Sequence, residues 1–232
     1  MIDPRRTDAH DATVMPRLAL HDVSRRYGAV VALDAASLVV RPGTVHALLG
    51  ENGAGKSTLM KIAFGLERPD SGALAVDGRA VTWRSPRDAM AAGIGMVQQH
   101  FSLVAAMTVA ENVALGGAGR FDRDAARAAV RAIGGRSGLV LDPDARVADL
   151  PVGAQQRLEI VKALARDART LILDEPTAVL APAEVDELLS WLRRFATDGG
   201  TVILIAQRGA ERRPAADEVT VVRRGRSLTS GR

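Results

Sequence analysis

The stretch GENGAGKST, Gly50 to Thr58, constrains this chain more than any other. Gly50, Gly55, Lys56 and Ser57 stand at the spacing G-x-x-x-x-G-K-[ST], directly after the apolar run Val45 to Leu49 and directly before a helical pattern. Glycines let the backbone curl so that successive N–H groups point at phosphate oxygens, and the helix that follows adds the positive end of its dipole. Lys56 can then reach the β- and γ-phosphates, and Ser57 can offer its hydroxyl to Mg²⁺. A glycine-rich turn with a solvent-facing lysine is the ordinary alternative, but it would not need to sit between a strand and a helix. The segment therefore predicts a phosphate cradle made of Gly50, Glu51, Asn52, Gly53, Ala54, Gly55, Lys56, Ser57 and Thr58.

The rest of the chain alternates in the way such a loop requires. Arg17 to Val45 is strand-like, with a turn at Arg41 to Thr44. Ser57 to Leu66 reads as a helix closed by Gly65, with Pro69 beyond it. Residues 72 to 83 read as a hairpin around Asp77-Gly78, and a short helix follows Pro86. Between about Ser102 and Ala165 the chain turns Ala-rich and helix-prone; Asp122 is placed to cap DRDAARAAVRAI, and Val152 to Arg166 has helical periodicity. Short apolar runs at Thr170 to Leu173 and Thr201 to Ala206 flank a helix over Ala183 to Phe195, and strand candidates follow near Val219 to Val222 and Ser227 to Thr229. Strands alternating with helices argue for an α/β fold with a mostly parallel central sheet. The N-terminal strands read as a separate antiparallel β subdomain, and the Ala-rich block as an inserted helical lobe over about 102–165.

Asp174-Glu175 supplies the second half of the chemistry. The pair emerges at the end of a buried-type strand. One carboxylate can hold Mg²⁺ through water and the next can polarise an attacking water. By itself an acidic pair after a strand is more often a helix cap; beside the loop above, the catalytic reading prevails.

Composition narrows the partners. With 47% apolar and 25% charged residues over 232 positions, the chain is long enough for one globular domain. Aromatics make up 3%, which argues against a base-stacking surface for nucleic acid. The net charge of +4 selects no partner, and the absence of Cys excludes disulfides and thiolate metal sites. Residues 1–16 are polar and read as a tail rather than a signal peptide or anchor. No apolar run reaches the roughly 18 residues of a membrane span, so service to a membrane would run through a partner.

In this combination the sequence resembles the nucleotide-binding domain of ABC transporters, a P-loop NTPase, over nearly the whole span 17–232. The resemblance implies that Tyr27 in RRYGAVVALD stacks on adenine and that Gly50 to Thr58 is the Walker A loop. It implies that Gln99 in MVQQHFSL touches Mg²⁺ and water, with Gln98 next to it leaving the register open. LPVGAQQRLEIVKAL stands for the family signature, with Pro151, Val152 and Gly153 facing the nucleotide of a partner domain, and LILDEP supplies Asp174 for Mg²⁺ and Glu175 for catalysis. QQHFSLVAAMTVAENVALG and AVLAPAE, with Ala181 where the family usually has aspartate, look most like the ATPases of bacterial importers for nucleosides and simple sugars. These often carry two such domains in one chain. ATP and Mg²⁺, integral membrane permeases, a second ABC domain (a homodimer or a fused half), an indirect substrate-binding lipoprotein or periplasmic receptor, and a place at the cytoplasmic face of the bacterial inner membrane are what the resemblance implies.

Two departures bear on turnover. Pro151 stands where the family places serine, which removes a hydroxyl and an N–H but suits the first turn of a helix. Gln207 stands where the family places its switch histidine; an amide donates a hydrogen bond but carries no positive charge and relays no proton. Slow hydrolysis with retained nucleotide binding is expected. The competing reading is a degenerate domain that binds nucleotide and acts structurally or regulatorily in an asymmetric dimer.

Overall fold

The computed structural model describes residues 15–117, 119–207 and 216–230. Two sheets carry the chain. The first, in the order β2-β1-β4-β5, is antiparallel and is formed by β1 (Leu18–Tyr27), β2 (Val30–Val40), β4 (Ser71–Val76) and β5 (Arg79–Val81). The second, in the order β10-β9-β3-β8-β7-β6, contains β3 (Val45–Gly50), β6 (Ile94–Val97), β7 (Thr170–Asp174), β8 (Thr201–Gln207), β9 (Glu218–Arg223) and β10 (Arg226–Ser230). Every pair in it is parallel except β9 with β10. The helices are α1 (Lys56–Ala63), α2 (Pro86–Ala91), α3 (Val109–Ala114), α4 (Arg123–Ser137), α5 (Val152–Leu164) and α6 (Pro182–Thr197).

The mostly parallel sheet is covered on both faces, and its strands read accordingly as continuous apolar runs. Along β8, Val202 and Leu204 join the core shared with α5, α6 and the helical region, while Ile203 and Ile205 join the core shared with α1 and the antiparallel sheet. Leu171 and Leu173 alternate with Ile172 in the same way on β7.

Most elements stand where the sequence places them, with informative differences. The Asp77-Gly78 turn has both residues at positive φ, 48° and 71°, as a tight hairpin turn demands. Helix α1 ends at Ala63 rather than Leu66 because Gly65 turns back at φ 78° against Trp83 and Ser85, where a Cβ would lie 2.9 Å from the Ser85 carbonyl oxygen. Strand β6 is invisible to propensity because of Gly95. A Cβ there would come within 2.8 Å of Ala163 and 3.0 Å of Ala168, so the glycine lets α5 lie against the sheet.

One side chain ties the two sheets together. Arg17, 9% exposed at the head of β1, donates from Nε to Thr170 Oγ1 at 2.8 Å and from Nη2 to the Ala92 carbonyl at 2.7 Å, and pairs with Asp77. Replacing it strands a buried hydroxyl and a carbonyl. Arg17→Met is expected to cost about 2–3 kcal/mol, seen in a thermal melt as a drop of roughly 4–12 °C. Arg17→Lys should recover little, because an ammonium cannot span three acceptors set apart in a fork.

Candidate nucleotide-binding site

Three parallel strands end at one edge. Gly50 of β3 pairs with Gln207 of β8, and Asp174 of β7 pairs with Ile205 of β8. Ligands of open α/β sheets gather at this carboxyl edge.

The loop from Gly50 is shaped by close backbone approach. At Gly50 a Cβ would run into the Val222 carbonyl oxygen of β9. At Gly55, φ 107°, it would lie 2.6 Å from the Ala32 carbonyl oxygen of β2 and 2.9 Å from Leu33. The β9–β10 turn props the loop from behind: Gly225 N–H donates to the Ala54 carbonyl at 2.9 Å, and the Gly225 carbonyl accepts from Asp34 N–H at 2.9 Å. Gly225 carries no motif signal beyond its place in a short turn between strand candidates, and its role was not legible in the sequence. Lys56 opens α1 and is buried. Its Nζ donates to the carbonyls of Gly50 at 2.7 Å and Glu51 at 3.1 Å, so the ammonium lies folded over the loop.

The acidic pair faces this loop. Asp174 is 7% exposed, and the Ser57 hydroxyl near it favours its charged form. Burial pushes its carboxyl above the ordinary carboxylate range and the neighbouring Glu175 adds to the rise, against the opposing pull of Ser57, Lys56 and Lys61. Glu175 sits at φ 49°, a left-handed conformation that costs a non-glycine residue on the order of 1 kcal/mol. Its Oε2 accepts from Gln99 Nε2 at 3.2 Å, while its own N–H donates to the Ile205 carbonyl at 3.2 Å. Gln99 rather than Gln98 therefore meets the acid. Asn52 to Thr58, Gln99, Glu175 and Val30 to Ala32 line a cavity of about 330 Å³.

Other expected residues stand apart from this cavity. Tyr27 is not among its lining residues; the residue is 41% exposed, and its ring carries the Arg25 guanidinium 5.0 Å from its centroid. Pro151, Val152 and Gly153 lie at the start of α5, also outside the lining. Pro151 is the residue before the helix rather than part of its first turn, and its carbonyl accepts from Ala154 at 2.9 Å and Gln155 at 3.0 Å. Helix geometry leaves the amides of Val152 and Gly153 without intrahelical acceptors. Gln207 is placed by its backbone at the carboxyl edge; its side chain lies outside the described residues.

The donor set suits a hard cation. The Ser57 hydroxyl and the Asp174 carboxylate stand near each other beside the loop, an oxygen pair of the kind that would suit Mg²⁺ together with phosphate and water. Holding a buried carboxylate ready for a cation works against the unliganded fold. Asp174→Asn is accordingly expected to raise the melting temperature of the nucleotide-free protein by a few degrees at neutral pH. The sign follows from the raised carboxyl: its charge is a burden above its folded pKa and none once the carboxyl is protonated. The gain should thus shrink as the pH approaches the ordinary carboxylate value of 3.8. Melting curves of both proteins across that range check it.

Comparison with known proteins identifies the family and the fold. Residues 33–178 match the family model described as ABC transporter. The chain is 47% identical over 211 residues to the nucleoside import ATP-binding protein NupA of Lactococcus lactis, covering 89% of this chain and 42% of that protein. It is 46% identical to the guanosine import ATP-binding protein NupO of Bacillus subtilis, covering 89% and 41%. It is also 46% identical to a ribose import ATP-binding protein, RbsA 1, of Rubrobacter xylanophilus, covering 91% and 43%. The chain thus spans less than half the length of these curated relatives. Among solved structures, cbiO1 of Clostridium perfringens, part of the ABC transporter complex cbiONQ, superposes with a TM-score of 0.79 at 30% identity, covering 93% of this chain and 88% of that one. The ADP conformation of an ATP-binding cassette superposes at 0.84 with 24% identity, covering 94% and 91%, which establishes the shared fold. The chain has the ATP-binding cassette fold and belongs to the ABC transporter family.

Proposed function

We propose that this chain is the ATP-binding domain of a bacterial ABC importer, coupling ATP binding and hydrolysis to uptake of a nucleoside or simple sugar. The observation that carries the proposal is that Lys56, Ser57, Gln99 and Glu175 line one cavity at the carboxyl edge of the parallel sheet, with the buried Asp174 next to Glu175 on the same strand end. The cargo class rests on the likeness to nucleoside, guanosine and ribose import ATP-binding proteins. Residues 17–232 form the cassette in this reading, with 102–165 as its helical lobe.

Each residue has a task. The loop amides of Gly50 to Thr58 cradle the phosphates, and Lys56 swings from the Gly50 and Glu51 carbonyls to the terminal phosphates. Ser57, Asp174 and Gln99 would hold Mg²⁺, which would supply neutralisation of charge on the phosphate oxygens. Glu175 accepts the proton of the attacking water. Gln207 donates toward the γ-phosphate, and Tyr27 gives adenine a face. Pro151, Val152 and Gly153 serve the opposite site of a head-to-tail dimer with a second ABC domain. Among the described residues no helix is long and apolar enough to cross a membrane. In this reading permease subunits hold the domain at the cytoplasmic side, with a periplasmic or lipoprotein receptor delivering the cargo to them.

Phosphate release from Mg-ATP tests the assignment. Glu175→Gln should reduce release by two orders of magnitude or more while nucleotide still binds, and Gln207→His should raise it by on the order of 10²-fold. Release that is indifferent to Glu175→Gln would contradict the role given to that residue.

A further inference from the structure

Between β6 and α3 the chain runs through Gln99 to Met107 with no strand or helix of its own, and its backbone must find partners elsewhere. Backbone N–H groups of Val147 and Ala148 meet the carbonyls of Met107 and Ala105, and side chains of the helical region meet Ser102 and Val104. Ser102 N–H donates to Glu159 Oε1, and the Ser102 carbonyl accepts from Lys162 Nζ at 2.8 Å. Glu159 and Lys162 also pair with each other at 3.3 Å, one turn apart on α5, and Glu159 is only 7% exposed. Two residues on, Asn112 of α3, fully buried, accepts from Val104 N–H at 2.8 Å and donates to the Val104 carbonyl at 3.0 Å.

Gln99 thus lies between two anchorages. Before it, β6 is fixed to β7, with Val97 paired to Leu173. After it, Ser102 is gripped on both backbone groups by α5. Three extended residues reach at most about 10 Å, so the position of Ser102 restricts where the Gln99 amide can go. A buried carboxylate such as Glu159 is costly unless paired and hydrogen-bonded, and its partners here are the backbone being held and the lysine that holds it. Neither residue touches the cavity around Lys56 and Glu175.

Resting on the functional reading above, we infer that Glu159 and Lys162 are positioning residues. They clamp Ser102 so that the Gln99 amide meets Glu175, and they tie that hydrogen bond to the seating of α5, the helix that begins beside Pro151.

Two readouts test the clamp. Lys162→Met keeps the aliphatic stem and removes the donor. It should lower kcat for ATP by about three- to thirty-fold with KM for ATP changed less than about twofold, and Lys162→Arg should restore most of the loss. In a Gln99→Ala background, Lys162→Met should add little, because the clamp acts through Gln99. The chain has no cysteine, so His100→Cys takes a single nitroxide; its spectrum should become more mobile in Lys162→Met, and likewise in Glu159→Ala if that variant folds. Unchanged kcat in a folded Lys162→Met protein, losses that multiply with Gln99→Ala, or an unchanged nitroxide spectrum overturns the clamp. A parent protein that turns over no ATP contradicts the functional reading instead, and the nitroxide spectrum then decides the clamp by itself.

Discussion

Everything at this site depends on how closely three backbone segments approach one another at Gly50 and Gly55. The Val222 carbonyl stands where a Cβ at Gly50 would be, and the Ala32 carbonyl stands within 2.6 Å of where one at Gly55 would be. β9 and β2 thereby hold the loop from two sides, and Gly225 closes the third with its hydrogen bond to Ala54. The curvature that turns amides toward a phosphate is therefore a property of the assembled fold. It draws on residues from three widely separated parts of the sequence, and the antiparallel sheet contributes to the phosphate site through β2 as much as the parallel sheet does through β9.

The same assembly concentrates unfavourable electrostatics. Asp174 is buried beside Glu175, whose backbone is itself held left-handed, and Lys56 is engaged with loop carbonyls. Groups poised in this way stabilise a ligand's charges at the expense of the empty protein. The stability comes from elsewhere: from the apolar strands β7 and β8 buried on both faces, and from polar ties such as Arg17 that lock the two sheets.

How much of this could be read from the sequence varied with the range of the cause. The loop, the acid pair, α1, α5, α6 and the Asp77-Gly78 turn were legible because each is a local pattern: a spacing, a period, a cap or a turn residue. Strand β6 was not, because Gly95 looks like a weak strand residue until Ala163 is seen against it. The part played by Gly225 escaped notice for the same reason, since a glycine in a short turn does not announce which distant carbonyl it meets. The choice between Gln98 and Gln99 also needed the structure, as two adjacent glutamines differ only in which one reaches Glu175. The expected adenine face of Tyr27 and the expected signature contacts of Pro151 to Gly153 lie outside the cavity of this single chain.

Whether Lys56, Ser57 and Asp174 form one Mg-nucleotide site is decided by equilibrium binding of a non-hydrolysable ATP analogue to the unmodified chain, with and without Mg²⁺. Binding should be saturable and should tighten when Mg²⁺ is present, with the Mg²⁺ effect lost in Asp174→Asn. Binding that ignores Mg²⁺, or an Mg²⁺ effect that survives Asp174→Asn, would contradict a shared site.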